Sequence, residues 1–363
     1  MTGPDMQADD ERWMAAALRL SRRHVGLTAD NPSVGALIVS GDGRVVGHGV
    51  TAHGGRPHAE RVALAEAGSA ARGATAYVTL EPCAHHGRTS PCADALVEAG
   101  VRRVVYGASD PDPRVNGEGA AILRRAGVLV DQLLLPPNGE RSFEGFLSRI
   151  RRGRPFVTLK MAVSSEGFVG RVGEGQVAIS GAIARCQTHL LRAEMDAILV
   201  GFGTAVADRP LLTCRLPGLE SRSPRRIVLD RHLRLPLDHP LIDTAESVPT
   251  FIATDVAEAA RLAPFEARKA RIISAGAGDL RSFLIGLVPL GIATLLLEGG
   301  PILAQSLLKA DLVDRVILVR SRHGIGGPGV AMPAGLNALS GFLRKSDEEF
   351  GDDRWIEWER SPR

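Results

Sequence analysis

Apolar positions along this chain alternate between helical and strand spacing in a regular order. From Glu11 to Arg22, Trp13, Met14, Ala17, Leu18 and Leu20 fall on one side of an amphipathic helix. Val34 to Val39 and Val45 to Val50 are strand-like runs on either side of Gly41-Asp42-Gly43, the pattern of a hairpin. His58 opens a helix that ends near Gly68, Ala74 to Leu80 is a strand, and Cys92 starts a helix that ends at Gly100. Arg103 to Tyr106, a helix around Glu118 to Arg125 and a strand from Val128 to Leu134 continue the alternation until Leu135-Pro136-Pro137-Asn138-Gly139 breaks it.

A second series begins at Pro155. Phe156 to Ala162, Ala197 to Gly201, Arg226 to Asp230, Thr250 to Thr254, Arg271 to Ser274 and Thr294 to Leu297 are apolar strand candidates, with helices at Gly181 to Glu194, Leu280 to Leu287 and Ile302 to Lys309. The basic run Arg149-Ile150-Arg151-Arg152-Gly153-Arg154 precedes a Pro and reads as a solvated linker rather than a polyanion patch. At 363 residues the chain exceeds one hydrophobic core, so two α/β domains are expected, 1–148 and 149–363.

Composition narrows the function classes. A formal net charge of +3 over this length disfavours nucleic acid as the main partner. No run of about 18 apolar residues is present, and the polar start from Met1 to Arg12 lacks a signal-peptide pattern, so no membrane partner and a cytoplasmic location are expected. Of the four Cys, Cys186 and Cys214 lack paired spacing, which argues against a disulfide framework.

The remaining two Cys carry chemistry. Pro57-His58-Ala59-Glu60, with Glu81-Pro82-Cys83 through Pro91-Cys92, offers one imidazole and two thiolates. Three ligands leave a fourth tetrahedral position for water, the count of a catalytic zinc site. Glu60 is then free to move protons in a zinc deaminase. Singly, each residue would be ordinary core packing; together, with a Pro before each Cys, they are not. In the second half, Glu298-Gly299-Gly300-Pro301 follows a strand and opens a helix, which suits a phosphate, although Gly pairs also make plain turns. Gly201-Phe202-Gly203 lacks the third Gly of a dinucleotide fingerprint, so a Rossmann fold is not supported.

The Cys spacing, filled by Ala84-His85-His86-Gly87-Arg88-Thr89-Ser90-Pro91, resembles the deaminase half of the bifunctional riboflavin-biosynthesis deaminase/reductase family. The insert would bring imidazoles and a guanidinium to the zinc mouth; a solvated loop is the alternative. Leu191 to Gly201, continuing through Gly203-Thr204, Ala207-Asp208, Pro210 and Thr213 to Arg215, resembles the reductase half, as do Leu159 to Gly167 and Leu297 to Pro301. The resemblance covers nearly the whole chain. It implies a cytidine-deaminase-like α/β/α domain followed by a dihydrofolate-reductase-like α/β domain, with Zn2+ and NADPH as cofactors and phosphoribosyl pyrimidines as small-molecule substrates. A homo-oligomer is expected, of a size the sequence does not give.

Carried over by motif position, the metal ligands are His58, Cys83 and Cys92, and the catalytic residue is Glu60. NADPH is expected against Ala162, Ala178, Thr204, Asp208, Arg231 and the stretch Gly300, Pro301, Ile302, Leu303, Ala304, Gln305 and Ser306. Substrate is expected at Gln176, Arg192, Leu212, Arg215 and Glu298, with the two Arg clamping the phosphate and Glu298 meeting sugar hydroxyls. Arg231 is expected to read the cofactor's 2'-phosphate, with Asp230 as a possible source of repulsion. Three departures from the family pattern stand out: Glu166 for a common Asp, Arg209 for an acidic residue, and Ala178 for an aromatic one. The competing readings are a nucleic-acid-editing deaminase, disfavoured by charge and Cys spacing, and an inactive binding protein, disfavoured by the retained Glu60.

Overall fold

The computed structural model describes residues 4–29, 31–85, 90–112, 116–136 and 138–361, with side chains from residue 7 onward. The chain divides into two units, Met1–Arg152 and Gly153–Arg363.

In the first unit α1 (Pro4–Ser21) precedes the hairpin β1 (Gly35–Val39) and β2 (Val45–Val50). Then come α2 (Ala59–Ala67), β3 (Thr75–Leu80), α3 (Cys92–Glu98), β4 (Arg103–Ala108), α4 (Glu118–Arg125), β5 (Leu129–Gln132) and α5 (Glu144–Arg152). The sheet order is β2-β1-β3-β4-β5, antiparallel at the hairpin end and parallel from β3 to β5. One face buries Ile38, Val78 and Val104 with Ala63, Leu96 and Leu123 of the helices; the other packs Leu37, Tyr77 and Val105 on Met14 and Ala17 of α1. Alternate residues of each strand therefore feed opposite cores, giving three layers.

The basic run expected to be a linker forms the end of α5 instead. Phe143 and Leu147 are buried in the first core, and the Arg residues fill the helix's last turn, where cations suit the carbonyl end. Position 148/149 lies inside this helix.

The second unit runs β6 (Phe156–Val163), β7 (Phe168–Arg171), α6 (Ala182–Ala193), β8 (Ala197–Gly201), α7 (Phe202–Asp208), β9 (Arg225–Leu229), α8 (Pro240–Asp243), β10 (Thr250–Thr254), α9 (Ala259–Ala267) and β11 (Arg271–Ser274). It continues through α10 (Leu280–Leu287), β12 (Thr294–Glu298), α11 (Pro301–Lys309), β13 (Arg315–Ser321), β14 (Gly329–Ala331), β15 (Phe342–Phe350) and β16 (Asp353–Arg360). Nine strands order as β11-β10-β9-β8-β12-β6-β13-β16-β15, parallel as far as β13 and closed by the antiparallel pair β16 and β15. Strands β8 and β12, at the centre, are buried on both faces, as parallel sheets flanked by helices require. A separate ribbon pairs β14 with β7.

Candidate active sites

The first unit's site is built where strands give way to helices. His58 is the N-cap of α2, Cys83 lies three residues beyond β3, and Cys92 is the first residue of α3. The Cys92 backbone N–H donates to Cys83 Sγ (3.3 Å), so the helix start holds one sulfur while supplying the other. His58 Nδ1 lies 3.6 Å from Cys83 Sγ and 3.4 Å from Cys92 Sγ. Zinc bonds of about 2.3 Å to sulfur and about 2.05 Å to nitrogen, at the tetrahedral angle, place those atoms about 3.6 Å apart. The donor set and its spacing therefore fit zinc, and the three ligand atoms lie within 4.8 Å of one another.

Protonation in this cluster is shared. Hydrogen bonding from Cys92 and His58 brings the Cys83 thiol down to about 4, and the same contact with Cys83, then burial, pushes Cys92 up. His58 is raised, chiefly by its bond to Cys83. A metal cation replaces such protons when three ligands bind it. Glu60, on the first turn of α2 and 4% exposed, is pushed upward by burial and then by the Cys83 charge.

Around this centre the chain is tied down by residues the motif reading gave no role. Arg61 Nη2 donates to the Ser90 carbonyl (2.8 Å), fixing the approach to Cys92. The Glu81 carboxylate accepts from the Gly117 (3.0 Å) and Ala120 (3.3 Å) backbone N–H groups, holding the start of α4 beside the Cys83 loop. A Cβ at Gly119 would lie 1.9 Å from the Pro82 carbonyl oxygen, so only glycine fits there. Asp110, buried nearby, is raised to about 6 by desolvation. His85 is half-buried; His86, Gly87, Arg88 and Thr89 of the expected mouth lie outside the described residues.

The second unit's site is a cavity of about 1150 Å³ at the carboxyl ends of the parallel strands, where open α/β sheets take ligands. Ala162, Gln176, Ala178, Arg192, Thr204, Asp208, Arg215, Arg231 and Glu298 line it, with Gly300 to Leu303 and Ser306. Three expected residues do not. Ala304 is fully buried on the inner face of α11, Gln305 turns aside to accept from Gly335 N–H (3.0 Å), and Leu212 is buried in the core with φ +56°. A continuous stretch of helix presents only one side to a ligand, so a run from 300 to 306 cannot all face the cavity.

The charges on the wall differ from the expected clamp. Arg192 spends its guanidinium on Glu298, Nε to Oε1 (2.6 Å) and Nη2 to Oε2 (2.7 Å), with Nη1 on the Thr213 carbonyl (3.0 Å). Burial pushes the Glu298 carboxyl up, but Arg192 and then Lys160 outweigh it and hold it below the usual range. Arg215 makes no ion pair among the described residues, and its backbone N–H donates to His189 Nδ1 (3.3 Å). Lys160, which sequence reading treated as strand core, lines the cavity with its ammonium disfavoured by burial and supported by Glu298. Gly299 and Gly300 have positive φ, and Cβ atoms there would come within 2.9 and 2.6 Å of Thr204, so the pair closes tightly over α7 as well as opening α11.

The three family departures also find places. Glu166 reaches the 323–327 loop, accepting from Ile325 N–H (2.7 Å) and Gly326 N–H (3.2 Å). Arg209 donates to the Asp238 carbonyl (2.8 Å) and is not on the cavity wall. Ala178 is on that wall.

A three-ligand metal cluster beside a buried carboxylate in one unit, and a large α/β cavity in the other, define a two-domain enzyme that pairs a zinc deaminase with a reductase. Residues 7–108 match the cytidine and deoxycytidylate deaminase zinc-binding region, and residues 155–346 match the RibD C-terminal domain. Riboflavin biosynthesis protein RibD of Aquifex aeolicus is 36% identical over 97% of this chain and 98% of its own; that of Escherichia coli K12 is 39% identical over 93% of each. Among solved structures, Acinetobacter baumannii RibD superposes with a TM-score of 0.87 at 32% identity, covering 98% of this chain and 100% of the other. A Thermotoga maritima diaminohydroxyphosphoribosylaminopyrimidine deaminase/5-amino-6-(5-phosphoribosylamino)uracil reductase gives 0.86 at 30% identity, covering 98% and 99%. The chain belongs to the RibD family of bifunctional deaminase/reductases of riboflavin biosynthesis. Its first domain is cytidine-deaminase-like and its second the dihydrofolate-reductase-like domain of that family, with zinc and NADPH as their cofactors.

Proposed function

We propose that the first unit hydrolyses the 2-amino group from 2,5-diamino-6-(5-phosphoribosylamino)pyrimidin-4(3H)-one, giving 5-amino-6-(5-phosphoribosylamino)uracil and ammonia. The second unit then reduces that product to 5-amino-6-(5-phosphoribitylamino)uracil. The observation that carries the reading is the zinc-spaced His58, Cys83 and Cys92 set with Glu60 buried beside it.

His58 Nδ1, Cys83 Sγ and Cys92 Sγ would hold the metal. Bound there, zinc supplies Lewis-acid activation of water, lowering its pKa from 15.7 to about 7. Glu60 takes a proton from the attacking water as the C–O bond forms and returns it to the amino nitrogen as the C–N bond breaks. Packing on the first turn of α2 keeps the Glu60 carboxylate next to the ligands without making it one.

In the second unit the cavity exceeds the few hundred to about 1000 Å³ of a single-ligand pocket, in keeping with room for cofactor and substrate together. When bound there, NADPH would supply hydride for reduction of the ribosyl group. The Gly299-Gly300 turn, packed on Thr204, and the N–H groups that open α11 would hold its pyrophosphate, with Asp208 on the same cavity wall. Arg215 meets the substrate phosphate. Arg192 fixes Glu298 as a carboxylate that accepts from sugar hydroxyls, and Lys160 would give a proton to the ring oxygen as the ribosyl ring opens.

Separability tests the division of labour. A fragment starting at Gly153, after α5, is expected to oxidise NADPH with the deaminated substrate and to release no ammonia from the diamino one. A cooperatively folded fragment that is inert while the whole chain reduces would remove the assignment. A homo-oligomer in the cytoplasm completes the proposal; no helix among the described residues is long and apolar enough to cross a membrane, and light scattering of the purified chain reads its assembly.

A further inference from the structure

Arg215 enters the second unit's cavity from a stretch, residues 211–215, that belongs to no helix or strand. Its backbone groups therefore find side chains as partners. The Leu211 carbonyl accepts from Arg226 Nη1 (3.3 Å) and the Thr213 carbonyl from Arg192 Nη1 (3.0 Å), while Cys214 N–H donates to the Ser223 hydroxyl (3.1 Å). Arg215 N–H donates to His189 Nδ1 (3.3 Å). Leu212 sits inside this stretch with φ +56°, a left-handed conformation that a non-glycine residue holds only where its surroundings fix it.

His189 and Arg192 stand three residues apart on α6, so both reach the same wall of the cavity, but they hold different atoms. Arg192 fixes the stretch at Thr213 and spends the rest of its guanidinium on Glu298. His189 fixes Arg215 itself. To accept from a backbone N–H, Nδ1 must carry no proton, which leaves the proton of the neutral imidazole on Nε2. Burial, then Arg192 on its own helix and Arg215 on the facing stretch, favours that neutral form, and Glu298 at the end of β12 opposes it less.

Arg215 is poised for an anion. It has no ion-pair partner among the described residues, and burial and then Arg192 disfavour its charge, so an arriving phosphate meets an uncompensated cation. A guanidinium grips phosphate through two parallel N–H bonds, and a shift of about 1 Å in its anchor is enough to misdirect them. We propose that His189 is a positioning residue for substrate recognition: its Nδ1 holds the Arg215 backbone so that the Arg215 guanidinium meets the substrate's phosphate. This rests on the reading of the cavity as the reductase site with Arg215 on that phosphate, and adds to it the residue that sets Arg215 in place.

Steady-state reduction by the full chain at saturating NADPH tests it on 5-amino-6-(5-phosphoribosylamino)uracil and on the dephosphorylated nucleoside. His189→Leu keeps bulk and loses the acceptor. It is expected to raise the KM for the phosphorylated substrate about five- to tenfold, the usual range for one lost hydrogen bond, and to leave kcat, the KM for NADPH and the kcat/KM for the nucleoside within about twofold. His189→Asn puts an amide oxygen near the place of Nδ1 and should bring the KM back to within about twofold of the unaltered chain. His189→Gln, whose oxygen falls near the place of Nε2, should not. Ammonia release by the first unit is the internal control. An unchanged KM in His189→Leu, an Asn variant as impaired as the Leu one, or equal losses on phosphorylated substrate and nucleoside would overturn the proposal. Arg215→Ala shows where a failure lies. If it is silent, the reading of Arg215 on the phosphate falls and takes the proposal with it; if it raises the KM while His189→Leu does not, His189 alone is wrong.

Discussion

Glu60→Gln is expected to keep its zinc and to lose deamination by about 100- to 10,000-fold, the range of a general acid–base contribution. Gln is nearly the same size and stays on the first turn of α2, where the site needs no ligand from it. It cannot take a proton from water or return one to the leaving nitrogen. Cys83→Ser and Cys92→Ser should behave differently, losing metal and activity together, because each removes one of three ligands whose spacing matches a zinc tetrahedron. Zinc content by atomic absorption, measured beside ammonia release, separates the two outcomes. A Glu60→Gln enzyme that deaminates at the normal rate would sink the proton-shuttle assignment, and one that has lost its zinc would make Glu60 part of the metal site.

Arg192→Ala is expected to have the largest effect in the second unit. Arg192 and Glu298 side chains are 10% and 11% exposed and share two hydrogen bonds, so truncating one strands the other's charge in the interior. Breaking a buried pair in this way costs about 3 kcal/mol or more, with Lys160 nearby to soften it. For a domain of this size the melting transition should fall by roughly 6–12 °C. Adding Glu298→Gln should recover much of that stability but not reductase activity, since the neutral amide needs no counter-ion yet no longer presents a carboxylate to the sugar. If Arg192→Ala melts like the unaltered chain, the pair is not the buried anchor described above.

Much of the fold was legible because periodicity reports burial. The strand at Ala197–Gly201 and the helices at Glu118–Arg125 and Leu280–Leu287 fall where the apolar spacing puts them. The failures have physical causes. Edge strand β15 carries Arg344, Lys345, Asp347, Glu348 and Glu349, so neither an apolar run nor a clean alternation marks it. Helix α9 contains Pro264, which argues against a helix locally but is tolerated in the tertiary setting. The basic run after Glu144 reads as solvent-facing, and only the packing of Phe143 and Leu147 reveals a helix under it.

The sites divide along the same line. The metal ligands and Glu60 sit within 35 residues, in motifs where chemistry and local structure coincide. In the second unit the decisive pairings are long-range. Arg192 meets Glu298 across 106 positions, and Arg231 meets Asp255 across 24, so no spacing announces these ion pairs. Lys160 is hidden in an apolar strand.

The central claim is that one chain carries out two consecutive steps at two separate sites. The most direct test supplies the purified, zinc-loaded chain with 2,5-diamino-6-(5-phosphoribosylamino)pyrimidin-4(3H)-one and NADPH, and follows ammonia and NADPH in the same sample. The account predicts one ammonia released per NADPH oxidised, with ammonia appearing first. In Glu60→Gln both signals should fall, and adding 5-amino-6-(5-phosphoribosylamino)uracil should restore NADPH oxidation alone. NADPH oxidation from the diamino substrate without ammonia release, or a Glu60→Gln chain that fails to reduce the deaminated substrate, would contradict it.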